Sequence, residues 1–329
     1  MKKRIVLITD LPKFVDDLLA LKLLVYFHST GVIDLVGVIV NRNEDATVEL
    51  RARIAQQFLY NLGYWSIPVA VGSTCGERFE NKIRPGDQRF CPPGLDSVPA
   101  VTLSGDALLE QAFLAGPTEL IVISSLADVA DFLRVHEELA QKRLAKVTFM
   151  GMVKLDGSRI LADPAASNVR YGRVVNEDTV LYDPAQEVLR FCALNHVPFN
   201  VLTKFAAIRP FSFQEMFARF YEPGVNSADF YLAEVGREEL SREQVKQGGP
   251  PILREDWEEH ILMGRKIFGG LDMLTALWAL DLMNFGFFTP KHMGARVQVV
   301  GESKEKPGIQ NAEFCFSFLQ HIIGLSIAK

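Results

Sequence analysis

Residues 5–21 have the sequence IVLITDLPKFVDDLLAL. The run Ile5-Val6-Leu7-Ile8 is short, apolar and partly β-branched, and it predicts a buried strand. A break follows at Asp10. Asp16 and Asp17 then open a segment rich in Leu and Ala, residues 18–27, that predicts a helix. A strand that leads directly into a helix is the first part of a βαβ unit, so this stretch predicts an α/β fold.

The same alternation continues along the chain and predicts a parallel sheet. Further apolar runs predict strands at 32–40, 67–71, 119–123, 146–150, 198–204 and 296–300. Segments between and after them predict helices at 46–62, 105–115, 126–139 and 270–282. Because βαβ connections are right-handed and place helices on both faces, we expect an open, mostly parallel β-sheet flanked by helices. We expect residues 1–329 to form a single domain, with a helical lid-like region at about 208–268.

Composition limits the classes of function. The 329 residues are 48% hydrophobic and carry a net charge of −5, without a dense Lys/Arg run. We therefore expect a folded protein that binds a small molecule and no nucleic acid. The four cysteines form no CxxC pair, which fits a reducing cytoplasm. No run of 18 apolar residues occurs, so we expect no membrane association.

Polar residues follow several of the predicted strands. Asp10, Asn43, the pair Ser124-Ser125 and the pair Met150-Gly151 all stand where a strand ends. In open α/β sheets, ligands bind outside the carboxyl ends of the strands. These residues therefore predict one site at that edge of the sheet.

The carboxylates of this edge suggest a cation. Asp10, Asp16 and Asp17 lie within eight residues, and crowded carboxylates raise one another's pKa unless a cation neutralises them. Ca²⁺ accepts carboxylate, carbonyl and water oxygens in flexible geometry. A second interpretation stays open, in which Asp16 and Asp17 stabilise the helix N-terminus and Asp272 is a helix cap.

Seven segments, in the order of the chain, together resemble the inosine-uridine nucleoside hydrolases. The first is the opening stretch, which is similar to that family's DTDPGxDDxxAL signature. The others are IDLVGVIVNRNED at 33–45, IPVAVG at 67–72, ELIVISSLADVADFL at 119–133, VTFMGM at 147–152, NEDTVLYDPAQEVL at 176–189 and LDMLTAL at 271–277. The resemblance implies a nucleoside hydrolase-like fold with a Rossmann-like core. It also implies cleavage of the N-glycosidic bond of a ribonucleoside to free base and ribose.

The resemblance assigns a metal site to four residues. It implies that Asp10 binds Ca²⁺ and acts as general base toward the nucleophilic water. Asp17 would be a bidentate ligand, and Asp272 a ligand that also touches a ribose hydroxyl. Ala127 would supply a backbone carbonyl, which does not depend on its side chain.

Five further residues would bind the ribose. The resemblance places Asp16 on the 2′-hydroxyl side and Asn43, Met150 and Glu177 around the sugar. An alternative alignment puts Asn168 on the ribose, because the asparagine expected beside Glu177 is replaced here. Both placements stay open. The resemblance further implies a homo-oligomer, either a dimer or a tetramer.

The chain departs from the family signatures at four points. Ile8 replaces the first Asp of the opening signature, and the spacing from Asp10 to Asp16 is two residues longer. Thr179 replaces an asparagine. Leu271 replaces the histidine that protonates the leaving group. The departures predict a modified or non-standard base as leaving group.

The same residues leave two alternatives to the hydrolase, a non-catalytic relative and an aspartate-type phosphatase. A catalytically altered or inactive relative could bind ribosides or metal in a regulatory or structural role, which Leu271 and the longer loop motivate. A phosphatase of the aspartate type needs a second Asp two residues after the first, and the segment Asp10-Leu-Pro does not supply it. Bound Ca²⁺ at the acidic residues would favour the hydrolase.

Overall fold

Among the residues that the structure describes, a central sheet of eight strands organises the molecule. The computed structural model describes residues 2–11, 15–41, 45–74, 94–157, 159–170, 172–176, 179–207, 227–253, 271–280, 287–293 and 296–325. The strands of the sheet are β1 (Lys3–Thr9), β2 (Ile33–Val40), β3 (Val69–Val71), β4 (Thr118–Val122), β5 (Leu144–Met150), β10 (Phe199–Leu202), β11 (Lys291–Met293) and β12 (Val297–Val300). Two hairpins lie outside it, β6 (Val153–Asp156) with β7 (Arg159–Ala162) and β8 (Val174–Asn176) with β9 (Thr179–Tyr182).

The order of the strands is β11-β12-β10-β5-β4-β1-β2-β3. Every neighbouring pair is parallel except β11 with β12. The open, mostly parallel sheet predicted from the sequence is therefore confirmed. From β1 the chain proceeds outward to β2 and β3, and then returns to the other side of β1 as β4. This reversal is a topological switch point, where a crevice forms outside the carboxyl ends of two strands.

Helices cover both faces of the sheet. They are α1 (Val15–Ser29), α2 (Asp45–Asn61), α3 (Gly105–Ala115), α4 (Ala127–Val135), α5 (Glu137–Arg143), α6 (Ser167–Arg170), α7 (Pro184–Leu194), α8 (Ser227–Lys246), α9 (Leu271–Leu280) and α10 (Ala312–Gly324). The helix predicted at 126–139 is in fact two, because the backbone of His136 (φ −121°, ψ 36°) leaves the helical region between α4 and α5. The predicted strand at 198–204 ends at Leu202, and a 3₁₀ turn follows.

Alternate side chains of β1 point to opposite faces of the sheet, and each set belongs to a different part of the core. Ile5 and Leu7 belong to one buried cluster, with α1, α2, α8, α9 and α10. Val6 and Ile8 belong to the other, with α3, α4 and α7. A strand covered on both faces has no polar side, which is why its sequence is a continuous apolar run.

Helix α9 runs against the direction of the strands. At its end the side chain of Lys146 donates to the carbonyl of Ala279 over 3.0 Å, and that of Lys3 donates to the carbonyl of Leu280 over 3.3 Å. Both lysines lie near the amino ends of strands, and so does the end of α9 that they contact. The other end of α9 therefore lies at the carboxyl edge of the sheet, and it carries Asp272 to that edge.

The predicted helical region at about 208–268 is described only in part. Its described portion is 227–253, most of which is α8, packed against α1 and α2. Residues 208–226 and 254–270 lie outside the described residues, so the lid-like arrangement stays a prediction. Within the described portion of the chain, no helix is both long and apolar enough to cross a membrane.

Candidate metal centre

Three carboxylates meet at the switch point. The ligand oxygens of Asp16, Asp17 and Asp272 all lie within 4.8 Å of one another. Asp17 and Asp272 are buried, with relative exposures of 1% and 3%, and Asp10 is 6% exposed. The charge of Asp10 acts on all three, so Asp10 adjoins the group. We call these four residues the acidic cluster.

The ends of three elements bring the acidic cluster together. Strand β1 ends at Thr9, so Asp10 leaves the sheet at its carboxyl edge. Asp16 and Asp17 stand in the first turn of α1, and Asp272 stands in the first turn of α9. Backbone N–H groups of both helices, those of Asp17 and Asp272, donate to the carboxylate of Asp16. The positive ends of two helix dipoles therefore point at the cluster, and each favours negative charge there.

The cluster nevertheless carries more negative charge than its surroundings neutralise. Burial is the main reason that the pKa of Asp16 rises from 3.8 to about 6, and the charge of Asp10 adds to it. Burial, followed by the neighbouring carboxylates, raises the pKa of Asp17 and Asp272 well above the usual range. Where carboxylates resist ionisation in this way, a bound cation strongly stabilises their charged forms.

Two neighbours moderate this effect, and the sequence patterns missed both. The hydroxyl of Thr9 donates to Oδ1 of Asp17 over 2.6 Å. Arg51, on α2, donates from Nη1 to the carbonyl of Asp10 over 2.8 Å, and its charge lowers the pKa of Asp17. Arg51 is only 8% exposed. A single arginine inside a helical segment gives no local signal that it faces a site some 40 residues away.

An unpaired oxygen tests whether a cation fits. Oδ1 of Asp272 is buried and has no hydrogen-bond partner among the described residues. A buried acceptor without a donor is costly, and a cation would satisfy it. The ligand atoms that the cluster offers to a metal are carboxylate oxygens. Such oxygens suit hard cations such as Ca²⁺ and Mg²⁺ rather than soft metals. The residues of the acidic cluster therefore fit a divalent cation.

Two of the predicted ribose contacts lie beside each other. The side-chain amide of Asn168 donates to the carbonyls of Ile123 and Met150, over 3.0 and 3.1 Å. It thereby joins the carboxyl ends of β4 and β5, and Asn168 is 6% exposed.

Ala127 is the first residue of α4, and its N–H donates to the hydroxyl of Ser125. Its role as a carbonyl ligand stays a prediction. Asn43 and Glu177 lie outside the described residues.

A buried polar network lies beside the cluster, and sequence reasoning did not find it. The amide of Asn41, directly after β2, donates to Oδ2 of Asp128 over 2.7 Å and to the carbonyl of Ser125 over 3.0 Å. The backbone N–H of Ser73, after β3, donates to Oδ1 of Asp128 over 2.7 Å. Burial raises the pKa of Asp128 in this setting. The network holds the ends of β2, β3 and β4 at one edge.

Leu271 occupies the position beside the last cluster residue. It is the first residue of α9, and its partly buried side chain packs against the larger apolar cluster. An aliphatic group cannot donate a proton, so the position next to Asp272 offers no acid. Thr179, another departure from the family signatures, is an exposed residue at the start of β9.

The fold is that of known solved structures. The type III effector protein XopQ, solved in complex with adenosine diphosphate ribose, is 19% identical with a TM-score of 0.78, over 100% of this chain and 95% of that one. The inosine-uridine preferring nucleoside hydrolase from Bacillus anthracis is 15% identical with a TM-score of 0.55, over 98% and 99% of the two chains. The purine-preferring ribonucleoside hydrolase from Gardnerella vaginalis is 14% identical with a TM-score of 0.59, over 99% of each chain.

These similarities establish that the chain has the fold of the nucleoside hydrolases. The resemblance in the seven sequence segments is therefore confirmed at the level of the fold. No protein-family model matches the sequence, and no curated protein is significantly similar to it.

Proposed function

We propose that the protein is a Ca²⁺-dependent hydrolase of ribonucleosides, which cleaves the N-glycosidic bond to release base and ribose. The observation that supports this most strongly is the acidic cluster. Asp16, Asp17 and Asp272 converge within 4.8 Å at the switch point of a nucleoside hydrolase fold, and Oδ1 of Asp272 has no partner among the described residues.

Four residues would hold the cation. Asp10, Asp17 and Asp272 would supply carboxylate oxygens, and Ala127 would supply its backbone carbonyl. Ca²⁺ is the cation we propose, since its coordination is flexible enough for ligands that come from a loop and from two helix ends. When bound, it would supply the positive charge that holds ribose hydroxyls and lowers the pKa of a neighbouring water.

The chain's own groups would then carry the reaction. Asp10 would accept the proton of the attacking water, as a general base. Cleavage of an N-glycosidic bond develops positive charge on the ribose ring, and the surrounding carboxylates would stabilise that charge. Asp16, with Met150 and either Asn168 or Glu177, would hold the sugar for attack, and Asn43 would assist.

This chain would differ from the nucleoside hydrolases in the leaving group that it releases. Because Leu271 cannot protonate a departing base, the preferred substrate would carry a base that leaves readily as an anion or that accepts its proton from water. We therefore propose a modified or non-standard base rather than inosine or uridine.

Release of reducing sugar from a panel of common and modified ribonucleosides tests the proposal. We expect activity in the wild type with Ca²⁺, and a loss of at least about a hundredfold, the size of general-base catalysis, in Asp10→Asn. A chelator should abolish activity as well. Asp156→Asn, at an exposed position at the end of β6, is the matched control and should retain full activity. Folded wild type that releases ribose from no member of the panel would contradict the proposal.

A second function has a specific observation in its favour. The TM-score is 0.78 for the effector XopQ but 0.55 and 0.59 for the two hydrolases, and XopQ was solved with adenosine diphosphate ribose. The chain could accordingly bind a riboside without cleaving it. Calorimetric titration with adenosine diphosphate ribose, followed by a search for products, separates the two functions. Tight binding without hydrolysis favours the binding protein.

The expected assembly into a dimer or tetramer and the expected cytoplasmic location remain predictions.

A further inference from the structure

Helix α8 lies antiparallel along α1, and two polar interactions between described residues join them. Oε2 of Glu239 accepts a hydrogen bond from the backbone N–H of Val15 over 3.0 Å. The ammonium of Lys22 forms a buried ion pair with Asp229. Val15 and Lys22 are seven residues apart, about two turns of helix, so α8 contacts α1 at its start and again two turns further on. The later residue of α8 meets the earlier residue of α1, which sets the antiparallel direction.

The ion pair fixes where α8 sits. Lys22 is 1% exposed within the otherwise apolar run 18–25 of α1, and Asp229 is 5% exposed. Burial lowers the pKa of Lys22, and the charge of Asp229 opposes that effect. A buried charge is costly without its partner, so a shift of α8 along α1 would separate the pair at a large energetic cost. This contact defines the register between the two helices.

With the register set, Glu239 reaches the N-terminus of α1. Val15 is the first residue of that helix, and its N–H is one of the donors that a helix leaves unpaired. Such a donor is usually satisfied by a residue just before the helix, whereas Glu239 is 224 positions away in sequence. The next two residues are Asp16 and Asp17. Glu239 thus acts on the turn that carries two members of the acidic cluster.

A second observation places Glu239 close to the cluster. After burial and the charges of Asp16, Asp17 and Asp10, the charge of Glu239 also raises the pKa of Asp272. The carboxylate of Glu239 therefore lies within reach of the charges of the cluster as well as at the first N–H of α1. Apolar packing of Tyr231, Leu232 and Val235 already docks α8, so its attachment does not depend on this hydrogen bond.

We propose that Glu239 is a positioning residue for the cation site, which fixes the first turn of α1 through the N–H of Val15 so that Asp16 and Asp17 face Asp272. This inference depends on one part of the proposed function, namely that the acidic cluster binds a cation. It does not require that the protein hydrolyse anything. It also makes α8 a fixed part of the site rather than an independent cover.

Calorimetric titration of chelator-stripped protein with Ca²⁺ tests the role directly. Glu239→Ala removes the hydrogen bond and should weaken Ca²⁺ binding about tenfold, the size of one charge-assisted hydrogen bond. Glu239→Gln keeps an acceptor oxygen for Val15 and should stay within about threefold of the wild type. Glu238→Ala, one position away and paired with Arg237, is the matched control and should bind as the wild type does.

Val15→Pro removes the same hydrogen bond from the donor side, and proline is tolerated at the first position of a helix. It should weaken Ca²⁺ binding as Glu239→Ala does, and combining the two should add little further. If Glu239→Ala destabilises the fold, this variant and the glutamine variant still test the role. The rise in melting temperature caused by Ca²⁺ is the second readout, and it should be smaller in both hydrogen-bond variants than in the wild type.

Three results would overturn the inference or its basis. Unchanged affinity in both Glu239→Ala and Val15→Pro would overturn it. Equal losses in Glu239→Gln and Glu239→Ala would also overturn it, because charge rather than the hydrogen bond would then matter. A wild type that binds no Ca²⁺ would instead contradict the proposed function, and so remove the site that Glu239 is inferred to position.

Discussion

Neutralising one carboxylate of the acidic cluster should stabilise the cation-free protein, and the gain should grow with pH. The change is Asp16→Asn, which removes a charge but keeps an acceptor oxygen for the N–H groups of Asp17 and Asp272. A raised pKa means that folding holds the proton on Asp16 more tightly than the unfolded chain does. Stability from this group is therefore complete below the ordinary pKa of 3.8, and it is lost as pH rises through about 6.

The size of the effect follows from the two pKa values. With 3.8 in the unfolded chain and about 6 in the folded protein, the linkage relation gives a loss on the order of 1 kcal/mol between pH 5 and pH 8. Asparagine does not titrate and should not show this loss. Since the charge of Asp16 also raises the pKa of Asp17 and Asp272, relief of their repulsion should add to the gain.

Urea unfolding at pH 5 and pH 8, with a chelator present, measures the difference. We expect Asp16→Asn to gain on the order of 1 kcal/mol or more relative to the wild type between these pH values, while replacement of the exposed Asp156 by Asn gains nothing. With Ca²⁺ at a hundred times its Kd, the wild type should recover about 2.7 kcal/mol at pH 8. A difference between the variants that does not change with pH would refute the electrostatic reasoning.

Four further outcomes follow from single contacts. Lys22→Met alone should cost about 3–5 kcal/mol in urea unfolding by leaving Asp229 buried and unpaired, whereas combining it with Asp229→Leu should recover most of that loss. Asp272→Asn should abolish Ca²⁺ binding in calorimetric titration while leaving the circular dichroism spectrum unchanged. Asn168→Ala should lower stability by about 1–3 kcal/mol, since two strand-end carbonyls lose their donor, and thermal denaturation would detect it. Leu271→His should raise the rate of ribose release from inosine by about a hundredfold if the missing acid limits that reaction, and an unchanged rate would show that it does not.

Local sequence patterns were sufficient to predict most of the elements. The run Ile5 to Ile8 predicted β1 because a strand buried on both faces needs apolar residues at every position. The acidic pair at the start of α1 and the apolar segment at 270–282 predicted the helices that carry the cluster. The division of 126–139 into two helices was not predicted, since nothing in the residues around His136 marks a break.

Long-range contacts could not be predicted in this way. Lys22 and Asp229 are 207 positions apart, and a lysine in a helix is ordinarily an exposed residue. Arg51 and Glu239 likewise sit in helices whose patterns do not tell which side chains face the site. Sequence reasoning found the carboxylates because their chemistry is conspicuous, and missed the groups that hold them in place because their chemistry is ordinary.

The longer loop between Asp10 and Asp16 illustrates how the site keeps its geometry. The sequence predicts that two extra residues must rearrange this loop, yet Asp16 and Asp17 still lie within 4.8 Å of Asp272. Their position depends on where α1 begins, and α1 is fixed by its apolar packing against α9, by the Lys22 ion pair and by the contact of Glu239 with its first N–H. The loop therefore has to connect two points that other contacts already define. A site built on helix ends rather than on loop conformation can accept a change of loop length without losing its carboxylate geometry.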